Sequence, residues 1–321
     1  NGFNNPEIGK IKVGTDKIGK DVTLDNIRIQ AAESLAKYNG VHIHCNLNIG
    51  RQVVNTRIIP FKNCRLSKED DNGYCAKIAV HPNWQRDINN KKLENSTIAW
   101  FDHFNLNEKV FAEQIKGVGI ENYKGQIYTL YLDDIYLYPL SALDTVYLDL
   151  DTEAQIALFK NNEVRDGFSD KIIMHVSPST DDLERANLNK KIQAFMGADG
   201  DKALVFESLF DENGQLLKDG AFKFDYLRTN INDKLFVEWE RSLSNNIRKA
   251  VFMPAVLIDY EQGQLSQASG EMLSQAVSYY NAITKTYREQ LSEALKQIYV
   301  NHTNEVLQNN IDFSLTDLVL L

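Results

Sequence analysis

The sequence predicts an α+β chain: a β-rich first module, a helix, a small α/β module, then two more helices. Three observations carry this. Val41-His42-Ile43-His44-Cys45 alternates, and Gln52–Pro60 is rich in β-branched residues, both marks of strands. Leu143, Val146, Tyr147, Leu150, Ala154, Ala157 and Leu158 fall on one helical face. In the last third, two helical patterns flank Met253-Pro254-Ala255-Val256-Leu257.

Residues 1–21 lack periodicity and read as loop or a frayed end. Ile27, Ala31, Ala32, Leu35 and Ala36 then recur at helical spacing, so a helix is expected over Leu24–Tyr38, stopped by Asn39-Gly40. After the two strands, Asp70-Asp71-Asn72-Gly73 is a turn signal leading into Tyr74–Val80. Residues 81–125 are mixed and receive no assignment. A strand is expected over Gln126–Leu132, breaking at Asp133-Asp134 and resuming at Ile135–Tyr138. Pro139 sits where helices begin, and this one is expected to run to about Val164, with a capping-box break possible at Thr152 and Gln155.

The α/β module follows. Lys171–Val176 reads as a strand. Ser177-Pro178-Ser179-Thr180 opens a helix through Leu183, Leu188, Ile192 and Phe195 to Gly197. Ala203–Leu209 and Ala221–Tyr226 read as strands, separated by turns at Asn213-Gly214 and Asp219-Gly220. Leu235, Phe236, Trp239, Leu243 and Ile247 form one face of a helix over residues 231–252. Polar residues Glu261–Ser269 precede the last helix, which carries Leu273, Ala276, Tyr280, Ile283, Tyr287, Leu291, Ala294 and Ile298. About 30 residues at roughly 1.5 Å each span about 45 Å.

Composition narrows the function. The chain has 321 residues, enough for one to three domains. With 17 Gly, 6 Pro and 10% aromatics it is neither collagen-like nor generally disordered. No apolar run approaches the roughly 18 residues of a membrane helix. The chain opens at Asn1 with no charged-then-apolar leader, so a fragment or processed form is expected. Three cysteines, Cys45, Cys64 and Cys75, sit at wide spacing and do not look like a disulfide framework.

The net charge of −9 is unevenly spread. Residues 1–100 carry 15 Lys/Arg against 10 Asp/Glu, residues 101–230 carry 13 against 23, and residues 231–321 carry 7 against 11. An acidic chain is poorly suited to gripping phosphates, but like charge lets nucleic acid slide past without sticking. Solubility alone also accounts for such a balance.

Searches for catalytic and ligand chemistry return little. Gly197-Ala198-Asp199-Gly200-Asp201-Lys202 lacks the hydroxyl that a phosphate loop places after its Lys, and reads as a turn. Asp149, Asp151 and Glu153 resemble the start of a calcium loop, but Ala154 stands where Gly is needed and Lys160 where the bidentate Glu would be. His42 and His44 share a strand face and could join Cys64 or Cys75 around zinc, but no further ligand spacing supports it. Asp133-Asp134 and Asp181-Asp182 read as turn and helix-start residues. No enzyme, cofactor or metal is expected.

The order of elements, with three stretches of sequence, resembles the portal proteins of tailed bacteriophages or prophages. The first is Tyr38-Asn39-Gly40 through Ile58-Ile59-Pro60-Phe61-Lys62-Asn63-Cys64-Arg65-Leu66. The second is Tyr136–Phe168 with the Leu188–Phe195, Gly197–Asp201 and Ala203–Phe206 unit that follows. The third, and strongest, is Phe236–Arg248, then Phe252-Met253-Pro254-Ala255-Val256-Leu257, then Ser269-Gly270-Glu271. Ile247 and Phe252 are spaced one residue wider than the family pattern, and Asp259 stands where Gly is common.

The resemblance implies a non-enzymatic ring of about twelve copies at one capsid vertex. Double-stranded DNA would pass through it, driven by the large terminase subunit, and capsid and head-tail connector proteins would attach, with no membrane involved. Assembly would occur in the host bacterial cytoplasm and the product would sit in the virion. Residues 1–138 would be the wing, 139–167 the first stem helix, 168–230 the clip and 231–252 the second stem helix. Residues 253–268 would be the channel loop, and 269–321 a long helix returning to wing and crown. Gln262, Gly263, Gln264 and Ser266 are small or neutral-polar and would face the DNA, while Phe252, Pro254 and Gly270 mark the family's structural motif. At 321 residues the chain is shorter than a typical full-length portal. Two rivals remain. One is a soluble enzyme with a site built from scattered Asp, Glu and His. The other is a subunit of another secretion or injection scaffold.

Overall fold

A computed structural model describes residues 2–89, 97–133, 135–166, 171–176, 187, 190, 222–227, 233–258, 270–308 and 311–319. The chain forms two units. One joins Asn1–Val146 with Arg248–Leu321, and the other is Tyr147–Ile247. Helices and strands are mixed throughout, as the α+β expectation requires.

The larger unit begins earlier than the sequence pattern suggests. Residues 2–23 are not a frayed end. They form α1 (Pro6–Gly9), β1 (Lys12–Thr15) and β2 (Asp21–Thr23), and Phe3, Ile8 and Val13 are buried. These apolar residues are too few and too scattered to show a period. They are ordered by what they pack against: Leu24, Ile27, Leu295 and Tyr299 lie in the same core.

Helix α2 (Leu24–Tyr38) follows its local signals. Thr23 caps it and exchanges bonds with Asn26 as a capping box, and Asn39 closes it at φ 52°, a left-handed conformation that Asn tolerates. Its buried stripe, Leu24, Ile27, Ala31 and Leu35, lies against β3 (Gly40–Leu47). Gly40 opens that strand because a Cβ there would stand 2.6 Å from the Phe61 ring.

Strand β3 pairs with β4 (Val53–Ile59) on one side and β8 (Gln126–Tyr131) on the other. The full sheet runs β4-β3-β8-β7-β6-β5, with β5 Cys64–Leu66, β6 Lys77–Val80 and β7 Ala99–His103. Only the β7–β8 pairing is parallel. The unassigned stretch 81–125 thus supplies β7, α3 (Trp84–Asn89) and α4 (Glu108–Val118). Because side chains alternate along β3, Val41, Ile43 and Cys45 enter the main core. His42 and His44 take the opposite face, where His44 meets Phe101 of a second core of Ile59, Cys64, Ile78, Phe101 and Ile127.

Two expectations near residue 135 are corrected. Ile135–Tyr138 is not a strand: Asp133 Oδ1 accepts the Ile135 N–H in a turn, and Ile135 is 77% exposed. Tyr138 has a separate use, its hydroxyl accepting the Leu66 N–H at 2.8 Å. Nor does the helix start after Pro139. Ser141 bonds Lys37 O and Asn39 bonds Leu140 O, which ties residues 140–141 to the end of α2. A 3-10 turn, Ala142–Val146, follows.

The second unit contains α5 (Tyr147–Asp166), β9 (Lys171–Val176), β10 (Phe222–Leu227) and most of α6 (Asp233–Ala250). Helix α5 is unbroken at Thr152, whose hydroxyl donates back to Leu148 O instead of capping a new helix. Strands are found where the sequence suggests them near 171–176 and 221–226, and β9 and β10 pair antiparallel in full register, Lys171 opposite Leu227. Of the expected helix over 183–195 only Asn187 and Lys190 are described, both helical, and the expected strand over 203–209 lies outside the described residues. Ile156 of α5 and Leu243 of α6 are buried, and Lys160 pairs with Glu240 between the two helices.

Helix α7 (Gly270–Tyr299) has 30 residues, the length expected, and its last turns bury Leu291, Ala294, Leu295, Ile298 and Tyr299. The short helix α8 (Glu305–Gln308) precedes residues 311–319, which return to the N-terminal end: Asn4 N–H donates to Ser314 O and Thr316 N–H to Gly2 O, both at 2.9 Å. No helix among the described residues is long and apolar enough to cross a membrane.

Candidate functional site

The sequence singles out the step from α6 into the segment before α7. Helix α6 ends in a paired closure. Phe252 N–H donates to Lys249 O at 3.1 Å and Met253 N–H to Arg248 O at 3.0 Å. This pattern demands a left-handed residue, and Phe252 supplies it at φ 53°, where Gly is usual. Pro254 follows at once, so the helix cannot resume, and a 3-10 turn takes Ala255–Leu257. Phe252 and Pro254 are therefore a stop built from backbone geometry. A β-branched residue fits the left-handed region poorly, so Phe252→Val is expected to cost about 1–2 kcal/mol. Phe252→Gly is expected to change stability by less than about 1 kcal/mol, because relief of strain offsets the loss of a ring that is 49% exposed. Urea midpoints of the two variants check this. A Val variant as stable as the parent would remove strain from the account.

Gln262, Gly263, Gln264 and Ser266 lie outside the described residues. Gly270 opens α7, where an added Cβ would meet nothing within 4 Å, so space does not explain that glycine. The unit Tyr147–Ile247 carries 12 Lys/Arg against 19 Asp/Glu, a net −7 of the chain's −9. Asp149, Asp151 and Glu153 belong to α5, and a continuous helix cannot wrap them around a calcium ion.

The strand histidines have a packing role. His44 Nε2 lies 2.7 Å from Lys124 O, while its Nδ1 accepts from Arg57 Nε at 3.1 Å. Arg always donates, so His44 must be neutral with its proton on Nε2. Burial pushes its pKa down to about 4, against the pull of the Lys124 carbonyl and with help from the Arg57 charge. His42 bonds Thr129 through Nδ1 at 3.0 Å and stacks on Phe61 at 5.3 Å. Burial, with the charge of His103 second, lowers its pKa to about 4 as well. Burial pushes Cys64 up to about 12, so it is no ready thiolate. Among the described residues no group of three His, Cys, Asp or Glu could hold a metal ion. Sequence spacing missed the partners Arg57 and Lys124, which only strand pairing brings to His44.

No protein-family model matches the chain, and no curated protein matches it. Solved structures do. A chain in the neck of an empty gene transfer agent particle, computed with C6 symmetry, superposes with a TM-score of 0.50 at 9% identity, over 92% of this chain and 70% of that one. A chain in the neck of the native particle, computed with C12 symmetry, gives 0.49 at 8% identity, over 89% and 69%. An HK97-family phage portal protein from Corynebacterium diphtheriae aligns over 96% of this chain and 86% of its own at 11% identity, with a TM-score of 0.40, too loose a superposition to carry weight. The α+β order of these elements is thus a fold shared with a chain of the gene transfer agent neck.

Proposed function

We propose that this chain is the subunit of a portal ring, a channel at a capsid vertex through which DNA is packaged and ejected and to which a tail attaches. The observation that carries this is the neck-chain likeness over 92% of the sequence. It supports the ring through symmetry, because the neck it matches was computed with C6 symmetry. In this reading about twelve copies surround the axis. Residues 1–138 and 269–321 are wing and crown, 139–167 and 231–252 the stem, and 168–230 the clip. The acidity of Tyr147–Ile247 supports a wall past which double-stranded DNA slides. The segment 253–268, entered through the Phe252–Pro254 stop, touches the DNA through Gln262, Gly263, Gln264 and Ser266. The reading assigns the chain no catalytic step. Its partners are the large terminase subunit, capsid protein and head-tail connector proteins, and it resides in the virion after assembly in the bacterial cytoplasm.

Light scattering and negative-stain imaging test the ring. Particles of about a dozen copies of the 36.6 kDa chain with an axial hole are expected, and a chain that stays single at every concentration would overturn the reading. Replacing residues 261–266 with a rigid basic segment is expected to leave rings intact while DNA per particle falls severalfold. Unchanged packaging would remove the channel role from this loop.

A further inference from the structure

The turn after α7 holds a buried donor with nothing to bond. His302 is 3% exposed. The Asn304 N–H donates to its Nδ1 at 3.0 Å, and a backbone N–H only donates, so Nδ1 carries no proton. Burial lowers the pKa of the ring, which is therefore neutral with its proton on Nε2. Among the described residues that Nε2–H meets no acceptor. A buried donor left in this state is costly and calls for a partner.

His302 borders a pocket of about 430 Å³ where β1, β4 and residues 302–304 meet, with Lys12, Thr15, Asn55, Thr303 and Asn304 also in its wall. The polar groups there are already sorted. Asn55 Oδ1 accepts the Thr15 N–H at 3.3 Å, and Asn304 Oδ1 accepts the Val306 N–H at 2.9 Å. These backbone donors fix both amides, so each oxygen is spent on the fold and each Nδ2 keeps its hydrogens to give. Gly14 makes room for the first amide, because a Cβ there would stand 2.1 Å from Asn55 Oδ1. No carboxylate lines the wall. Its one cation, Lys12, is bound to Asp21 at 2.6 Å with both side chains more than half exposed. The pocket is thus nearly neutral and rich in N–H donors.

That combination selects the ligand. Surplus donors want an acceptor. Asp21 stands beside the only cation, which disfavours a doubly charged phosphate. A carboxylate brings a single charge and two oxygens with several lone pairs, enough to take more than one N–H at once.

We propose that this pocket binds a carboxylate, which accepts from His302 Nε2–H and from the Asn55 and Asn304 amides beside Lys12. The site stands apart from the ring reading and does not depend on it. Melting of the full chain at pH 7.5 tests it, with acetate compared against chloride at equal ionic strength. At about 100 mM acetate and a Kd of roughly 10 mM, the melting temperature is expected to rise by about 2–4 °C over chloride. Asn304→Asp and Asn55→Asp each keep the oxygen that the backbone uses and remove the amide hydrogens. Each is expected to weaken acetate about tenfold and cut the rise to about 1 °C or less, while circular dichroism stays that of the parent. A blocked peptide of three glutamates separates two sources. Tighter binding than acetate, lost in the same variants, assigns the site to an acidic side chain of a protein, and weaker binding assigns it to a free acid. No rise in the parent, or equal rises in the parent and both variants, would overturn the site. An experimental map in which Nε2–H bonds a lone water that acetate does not displace would overturn it too.

Discussion

Acidification from pH 7.5 to 4.5 is expected to remove on the order of 3–5 kcal/mol from the stability of the β3–β4–β8 region, through His42 and His44. Both are buried and neutral in the fold, with pKa values lowered from 6.5 to about 4. Between those values the unfolded chain binds protons that the folded chain refuses. Stability is therefore complete above about pH 6.5 and drains away as pH falls toward 4. His302, also lowered by burial, acts with the same sign. Urea unfolding at a series of pH values measures the slope. Carboxylates titrate in the same range, so the informative comparison is with the double variant His42→Phe, His44→Gln, which has nothing to protonate at these two positions. Its slope between pH 6.5 and 4.5 is expected to be well under that of the parent. Equal slopes would mean that the two histidines gain protons as easily folded as unfolded, and the neutral, Arg57-bonded state of His44 would have to be abandoned.

The same histidines show how far the sequence could be read. Alternation in Val41–Cys45 places His42 and His44 on one face and Val41 and Ile43 on the other, and the sheet bears this out. The 30-residue helix was legible for the same reason, a period sustained long enough to stand out, while β9 and β10 were marked by the turn residues beside them, Ser177-Pro178 and Asp219-Gly220. What failed was short or held from a distance. Residues 2–15 contribute single buried side chains, and no local window reveals that Val13 and Tyr299 meet the same hydroxyl, that of Thr56. Leu143 and Val146 match a helical face, but Ser141 and Asn39 draw the chain into a 3-10 turn first, so α5 starts at Tyr147. At the candidate site, Pro254 announced a stop. The left-handed Phe252 was hidden because Gly, the usual marker, is absent. The pocket beside His302 was hidden too, since Lys12, Asn55 and Asn304 come from three distant stretches.

Phe313→Ala carries the other large effect, an expected loss of about 3–5 kcal/mol. The ring is 4% exposed, lies nearly parallel to Tyr299 at 6.3 Å and meets Phe3 edge-on at 6.4 Å, so it joins the two ends of the chain over the last turns of α7. The hydrogen bonds around it cannot hold that arrangement alone. Residues 2–4 and 314–316 share a short bridge and a few exposed or half-buried side-chain bonds through Asn4 and Thr316, and the Asp317 carboxylate that pairs with Arg288 is 66% exposed, so that pair is worth about 1 kcal/mol or less. Removing the ring should therefore free both ends together: amide exchange at Asn4 and Thr316 should accelerate in step with the fall in urea midpoint. Phe313→Leu, which keeps most of the apolar volume, should lose less than half as much and keep both amides protected. If Phe313→Ala cost under about 1 kcal/mol, the core would have to end at Tyr299, and residues 311–319 would be lying on the surface of the unit without helping to hold it.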